Sequence, residues 1–166
     1  GILALASNVG YQPFGGVKAF TFGNGQAYAR TYDTDGRISS YTLGDRSQVL
    51  GFDAASRIIS LTDPQKALAY GYDSLDRLSS ATGPGIGFGY AYDAVGNRTS
   101  QSGPQGTSTL SYAADSNRLL AVAGAAPRTF SYDANGSVIA NGAGATQFGY
   151  DSRGRLAGKR PITARP

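Results

Sequence analysis

The sequence contains no cysteine, histidine, methionine, tryptophan or glutamate, and all eleven acidic residues are aspartate. Without histidine and cysteine there is no ordinary zinc or copper site, no Ser-His-Asp triad and no thiol nucleophile. Disulfides are excluded for the same reason, so cysteine usage gives no indication of a redox compartment. We therefore predict no catalytic residue, no metal site and no cofactor, and we expect that the protein is not an enzyme.

The residues that are abundant favour an all-β fold over a helical one. Glycine is the commonest residue at 24, tyrosine (11) outnumbers phenylalanine (7), and lysine, a common helix former, occurs only three times. The net charge is only +4, and the twelve arginines are spread along the chain rather than clustered, which does not favour nucleic-acid binding. The apolar residues 1–7 are too few to span a bilayer, so we expect no membrane insertion. The absence of an initiator methionine suggests a processed chain or a fragment.

An aromatic residue followed by aspartate recurs along the chain with a period of about twenty residues. The aromatic residues are Tyr32, Phe52, Tyr72, Tyr92, Tyr112, Tyr132 and Tyr150. The aspartates that follow them are Asp33, Asp53, Asp73, Asp93, Asp133 and Asp151, and the fifth copy has Ala113 instead. Five of the six intervals between the aromatic residues are twenty residues long and the last is eighteen. The period predicts about seven tandem copies of one structural unit.

Each copy continues with a turn residue, an arginine and an aliphatic residue. The turn glycines are Gly36, Gly96, Gly136 and Gly154, and the arginines are Arg37, Arg57, Arg77, Arg98, Arg118 and Arg155. Two copies carry one extra asparagine before the arginine, Asn97 and Asn117, and one copy has Ser137 in place of the arginine. These aromatic, acidic, glycine and arginine positions form the predicted structural repeat motif.

The physical chemistry of one copy predicts a β-hairpin. Before the aromatic residue, Leu68, Tyr70 and Tyr72 alternate with smaller residues, which is the pattern of a half-buried strand. The aspartate can accept backbone N–H bonds within a tight turn, and glycine tolerates the positive φ at its end. The chain then resumes an extended strand. Seven such hairpins predict a large antiparallel sheet of roughly fourteen to sixteen strands, which tends to curl.

The tandem Tyr-Asp-x-x-Gly-Arg-Leu pattern resembles the RHS/YD-repeat family over roughly residues 11–158. The resemblance implies a large hollow β-shell that, in bacterial members, encloses a C-terminal toxin and is secreted or displayed on the cell surface. It also implies that the partners are the rest of the shell and its toxin or effector. The family's self-cleavage motif, Asp-Pro-x-Gly, has no match in this sequence, so self-cleavage is not carried over.

Three alternatives concern the repeated side chains. The aspartates could close their own turns or form a calcium ladder, and the turn function is favoured because consecutive copies would lie about 10 Å apart. The arginines could pair with an aspartate of the same or the next copy, or form a stripe that binds glycans or other polyanions. The tyrosines could form the packed face of the sheet or a platform that stacks on sugars.

We expect a structural scaffold, a wall segment of a YD-repeat shell that encapsulates or displays a toxin or effector. The alternative is a surface adhesion module that binds a glycan or a protein. Residues 1–166 are expected to be one fragment of a repeat array, most regular over 20–158, with 159–166 as a tail. Unpaired sheet edges predict that copies of the chain associate with one another or that its own terminal segment covers an edge.

Overall fold

The computed structural model describes residues 5–13, 15–142 and 146–161, and these residues form sixteen β-strands. The strands are β1 Ala6–Tyr11, β2 Val17–Phe22, β3 Ala27–Tyr32, β4 Ile38–Leu43, β5 Arg46–Phe52, β6 Ile58–Asp63, β7 Lys66–Tyr72, β8 Leu78–Gly83, β9 Ile86–Tyr92, β10 Arg98–Gly103, β11 Gly106–Tyr112, β12 Leu119–Gly124, β13 Arg128–Tyr132, β14 Val138–Asn141, β15 Thr146–Tyr150 and β16 Leu156–Pro161. Among the described residues no helix is long and apolar enough to cross a membrane. The predicted all-β architecture of tandem hairpins is confirmed, while the predicted curl of the whole sheet stays a prediction.

The chain forms two compact units, Gly1–Ile86 and Gly87–Pro166. In the first unit, strands β1 to β8 lie side by side in the order of the chain, each antiparallel to the next. In the second unit, strands β9 to β16 follow the same rule. Within each unit the strands therefore pair with their sequence neighbours, as expected for a repeat array in which each repeat contacts the next.

Two kinds of connection alternate along the chain. Short turns such as Pro64-Gln65 join strands whose last paired residues are Asp63 and Lys66. Longer loops follow the repeat aromatics: 53–57, which joins β5 to β6, has five residues, as the others do except for the six-residue loop 113–118. The Asp63 carboxylate accepts hydrogen bonds from the N–H groups of Gln65 and Lys66, which closes the short turn. The repeat therefore consists of one hairpin with an aspartate loop, connected by a tight turn to the next.

Each aspartate loop is followed by a β-bulge. Gly51 lies opposite Ser60 but Phe52 lies opposite Ile58, so Ile59 is the additional residue on the second strand. The same register shift follows all seven loops, and the additional residues are Ser39, Ile59, Ser79, Thr99, Leu120, Ile139 and Ala157. A bulge increases the local twist of the strands, so we expect added twist at these seven positions. The regular alternation that we predicted therefore holds only before each loop.

The two faces of the sheet in the first unit carry side chains of different size. In-register pairs place large residues on one face, among them Tyr28, Tyr41, Leu50, Leu61 and Tyr70. Small residues predominate on the other face, among them Thr31, Ser40, Gly51, Ser60, Ala69, Gly71 and Ser80. None of the described residues is fully buried, and the large residues are half-buried. Each unit is thus a single layer of sheet.

The end of the chain corrects one expectation. Residues 159–161, which we expected in a tail, belong to β16 and pair with β15 through Phe148, which lies opposite Lys159. The aromatic pattern of β15 accounts for this, because its large residues need a neighbouring strand to pack against. Residues 162–166 of the expected tail lie outside the described residues.

Candidate functional site

The aspartate of each loop organises the loop backbone, as the Asp53 loop illustrates. The Asp53 N–H donates to the Arg57 carbonyl at 3.0 Å, and the Ser56 N–H donates to the Asp53 carbonyl at 3.0 Å. One carboxylate oxygen, Oδ1, accepts from the N–H groups of Ala55 (3.0 Å) and Arg57 (2.9 Å). The other oxygen, Oδ2, accepts from Nε of Arg57 at 2.7 Å. Both carboxylate oxygens are therefore engaged within the loop.

The same set of bonds recurs in other loops. Asp33, Asp73 and Asp151 each accept from the backbone N–H two and four residues later and from Nε of the arginine four residues later. The arginines are Arg37, Arg77 and Arg155. A carboxylate that accepts several N–H bonds is stabilised in its ionised form. The motif therefore places the arginine four residues after the aspartate, where the aspartate carboxylate can bind both the backbone N–H and the guanidinium of that arginine.

These hydrogen bonds lower the pKa of Asp53, Asp73 and Asp151. For Asp53 the backbone N–H of Arg57 lowers the pKa below its ordinary value of 3.8, with the Arg57 guanidinium adding to the effect. For Asp73 and Asp151 the backbone N–H of the arginine is again the largest cause, and partial desolvation opposes it. The folded state therefore favours the charged carboxylate in these loops.

The arginine also reaches the next repeat. Arg37 donates from Nη1 to Ser56 Oγ at 2.9 Å, and its guanidinium lies 4.8 Å from the centre of the Phe52 ring. In the next copy, Arg57 pairs with Asp76, and its guanidinium lies 4.8 Å from the centre of the Tyr72 ring. We call this set of contacts, from one loop's aspartate through its arginine to the next loop and aromatic ring, the arginine clamp. The clamp joins consecutive hairpins at their loop ends.

The clamp explains two residues in an unusual conformation. The fourth loop residue has positive φ, and it is glycine at Gly36 (φ 79°) but serine at Ser56 (φ 63°) and aspartate at Asp76 (φ 61°). Left-handed backbone is costly for residues other than glycine. Ser56 and Asp76 are the two residues that bind the arginine of the preceding repeat. Their clamp contacts offset the conformational cost.

The repeat tyrosines make a second contact between hairpins. Five of their hydroxyls donate to a backbone carbonyl near the start of the second strand of the preceding repeat. The pairs are Tyr32 to Val17, Tyr72 to Ile58, Tyr112 to Arg98, Tyr132 to Leu119 and Tyr150 to Val138, at 2.7–3.1 Å. Phe52 has no hydroxyl and makes no such bond. We did not predict this contact, although the excess of tyrosine over phenylalanine at the repeat position is its signal in the sequence.

The fourth copy corrects the prediction of an extra asparagine. Asn97 lies four residues after Asp93 and donates from its backbone and from Nδ2 to the Asp93 carboxylate, as the arginine does elsewhere. Arg98 lies opposite Tyr92 at the start of β10, where other copies have an aliphatic residue. Asn97 is therefore the counterpart of the motif arginine, and Arg98 replaces the aliphatic residue. Asn97 also donates to Oδ1 of Asn117 at 3.1 Å, so it reaches the next loop in place of a guanidinium.

The fifth and sixth copies depart from the motif in different ways. In the fifth copy the Ala113 N–H bonds to the Arg118 carbonyl, so this loop does contain one additional residue. Arg118 still lies over the next aromatic ring, 5.7 Å from the centre of Tyr132. In the sixth copy Ser137 takes the arginine position, and the Asp133 carboxylate receives hydrogen bonds from the N–H groups of Asn135 and Ser137. Gly96, Gly136 and Gly154 all have positive φ at the end of their loops.

The contacts of the repeated aspartates and arginines are relevant to the calcium and glycan alternatives. Among the described residues, no three acidic side chains come close enough to hold a metal ion. The oxygens of Asp33, Asp53 and Asp73 already accept hydrogen bonds within their own loops. Arg37 and Arg57 are engaged by an aspartate and by the next repeat, which leaves few of their donors for a ligand. The repeated polar side chains thus bind one another.

Chains in several solved structures have the same fold. One chain in the crystal structure of TcdB2-TccC3-Cdc42 superimposes with a TM-score of 0.74 at 17% sequence identity, covering 89% of this chain and 10% of that one. A chain in the Photorhabdus luminescens Tc holotoxin pore with the TccC3-D651A mutation gives a TM-score of 0.75 at 18% identity, covering 93% of this chain and 10% of that one. The chain thus spans about a tenth of the length of these structures.

Sequence comparison identifies a family. No curated protein sequence matches the chain. The model of the family described as Teneurin YD-shell matches residues 52–160, which include the hairpins from the Phe52 loop to the Tyr150 loop. The match covers more than half of the 166 residues. The chain therefore belongs to the Teneurin YD-shell family.

Proposed function

We propose that this chain is a structural wall segment of a YD shell that encloses or displays a toxin or effector domain. The observation that carries the proposal is the arginine clamp, which commits the repeated polar side chains to joining one hairpin to the next. Arg37 and Arg57 each bind their own aspartate and the following loop. Side chains used in this way stabilise a continuous wall.

The single layer of sheet is consistent with the same function. No described residue is fully buried, so neither unit has a closed core of its own. The strands β1 and β16 each have one neighbour in the strand order, and an exposed strand edge readily pairs with another strand. In a shell wall these edges pair with further strands of the same protein. In the isolated chain we expect a second copy to pair with the exposed edge strands. Multi-angle light scattering then measures a molar mass that rises with protein concentration.

Partners and location follow from the wall function. The related structures include a Tc holotoxin pore, which is a toxin assembly. By analogy we propose that the partners are the remainder of the shell and a C-terminal toxin or effector. We also propose a bacterial secreted or cell-surface protein, and a segment that has no catalytic activity and needs no cofactor.

The alternative, an adhesion module, requires side chains that are free to bind a glycan or a protein. The tyrosine hydroxyls that would face such a ligand donate to backbone carbonyls, as Tyr72 does to Ile58 and Tyr132 does to Leu119. The paired arginines are engaged as well. A sugar platform needs free polar groups beside its aromatic rings. Because these groups are already engaged, the repeat motif favours the wall function over adhesion.

The test is cryo-electron microscopy of the full-length protein that carries this segment, together with limited proteolysis. A wall segment predicts a closed layer of hairpins around a cavity and a protein domain that resists protease until the shell is opened. Screening the 166-residue chain against a glycan array provides the comparison. The wall function is contradicted if microscopy shows an open array and the neighbouring domains are digested at once. Specific binding of a glycan in addition supports adhesion.

A further inference from the structure

A depression of about 540 Å³ lies on one face of the sheet in the second unit. Leu110 and Val122 lie opposite each other in neighbouring strands and form part of its floor. Phe88 on β9 and Phe130 on β13 are among the residues around it. The volume lies within the range of small-molecule sites, which is about 300–1,000 Å³.

The repeat pattern changes at this depression. Four residues before the repeat aromatic, β9 has Phe88, but the equivalent residue of β11 is Ser108. Two residues before the aromatic, Tyr90 in β9 corresponds to Leu110 in β11. The fifth copy therefore lacks two aromatic rings that the fourth copy has. The missing volume opens the face at the middle of the second unit.

The charge at the depression is positive. Its lining contains Arg98 and Arg128 and no aspartate. Within the described parts of the chain neither arginine has an acidic partner within ion-pair distance, unlike Arg37, Arg57, Arg77 and Arg155. Residues 87–166 contain eight lysines and arginines against four aspartates, a difference of +4, whereas residues 1–86 contain seven of each kind. The whole net charge of the protein therefore belongs to the unit that carries the depression.

The two arginines approach the apolar floor from opposite sides. Leu110, Val122 and Arg128 lie in one row across β11, β12 and β13. Arg98 begins β10, on the other side of β11, and its guanidinium lies 5.7 Å from the centre of the Tyr90 ring. The strands β10 and β13 are three strand spacings apart, about 14 Å. An apolar body of roughly ten carbon atoms can lie on the floor while its acidic group meets a guanidinium.

We propose that this depression is a binding site for an amphipathic organic anion, an apolar chain or ring that carries a carboxylate. The apolar part covers Leu110 and Val122, which lowers the exposed apolar area. The carboxylate forms charge-assisted hydrogen bonds with Arg98 or Arg128, which suit a planar anion. Charge complementarity selects an anion over a neutral or cationic ligand of the same shape.

The test is isothermal titration calorimetry of the 166-residue chain with decanoate, below its critical micelle concentration. Decanol, which has the same chain and no charge, is the matched ligand. The double variant Arg98→Gln, Arg128→Gln removes both charges, and Arg46→Gln removes an exposed arginine of the first unit that does not line the depression. We expect decanoate to bind at least tenfold more weakly to the double variant and with unchanged affinity to Arg46→Gln.

A second variant tests the site without altering charge. Ser108→Phe restores the aromatic residue found at the equivalent position of the fourth copy, Phe88, and fills the depression. We expect this variant to lose decanoate binding while its far-UV circular dichroism spectrum stays that of the parent. Absence of binding to the parent chain, equal binding of decanol, or full binding to Ser108→Phe would overturn the proposal.

Discussion

At the scale of single residues, the tyrosine hydroxyl is the smallest group that joins two repeats. Five repeat tyrosines donate to a carbonyl of the preceding copy. Phe52 occupies the same position between Tyr32 and Tyr72, and the carbonyl fourteen residues before it is that of Ile38. In the Tyr72 copy the acceptor, Ile58, also lies fourteen residues earlier. The Phe52 copy therefore has the acceptor but not the donor.

We predict that Phe52→Tyr raises the free energy of unfolding by about 0.5–1 kcal/mol, the net value of one added hydrogen bond. The reverse change, Tyr72→Phe, removes the 2.7 Å bond to Ile58 and lowers it by a similar amount. Urea denaturation of both variants and the parent, followed by far-UV circular dichroism, measures the two effects. Equal destabilisation by both variants would contradict the assignment, because it would indicate that ring packing alone decides stability at this position.

The sequence predicts some of these residue contacts but not others. It correctly places an aspartate that closes its own turn, because the spacing from Asp53 to Arg57 suits a loop hydrogen bond. It leaves open whether the arginine binds its own aspartate or the next repeat, and in the structure Arg57 binds both Asp53 and Asp76. The second contact depends on the offset between neighbouring hairpins, which no spacing within one repeat determines.

At the scale of the hairpin, the arginine clamp is interrupted at the sixth copy. Ser137 has the same backbone bonds as the motif arginine, since its N–H donates to Asp133 and its carbonyl accepts from the Asp133 N–H. Its short side chain reaches neither the next loop nor the Tyr150 ring. The backbone is therefore already arranged for an arginine that is absent.

We predict that Ser137→Arg stabilises the protein by about 1 kcal/mol through an ion pair with Asp133 and a cation–π contact with Tyr150. For a chain of this length that corresponds to a rise in Tm of roughly 2–4 °C. Ala134→Arg adds the same charge at an exposed position of the same loop and serves as the control. Differential scanning calorimetry at low and high salt measures the change. An equal rise in both variants would mean that net charge, and not the clamp, is responsible.

Hairpins were predictable from the sequence, but their bulges were missed. The alternation of Leu68, Tyr70 and Tyr72 predicts the strand before the loop. After the loop, Ile58 and Leu61 lie on the same face although they are three residues apart, because Ile59 is the additional bulge residue. Apolar residues three positions apart after the loop were the sequence signal of the bulge. It was hard to recognise because the bulge residue itself varies between serine, threonine, alanine, leucine and isoleucine.

At the scale of the whole molecule, the loop aspartates act together on stability. The pKa values of Asp33, Asp53, Asp73, Asp93 and Asp151 all lie below the ordinary 3.8 in the folded protein. The unfolded chain therefore binds more protons than the folded chain as the pH approaches 3.8 from above. Stability from these loops is complete above that pH and is lost as the pH falls through the folded-state pKa values.

We predict that the midpoint of urea denaturation is constant between pH 7 and pH 5.5 and falls steeply below about pH 4. Replacing three loop aspartates by asparagine, as Asp53→Asn, Asp73→Asn and Asp151→Asn, removes the titrating groups but keeps an acceptor for the loop N–H groups. The triple variant is then less stable than the parent at pH 7 and loses less stability between pH 7 and pH 3. Asp45→Asn, at an exposed position in a short turn, keeps the pH dependence of the parent. If the triple variant loses as much stability as the parent over this range, the acid sensitivity lies outside the loops, and the aspartates contribute through their shape as turn residues and not through their charge.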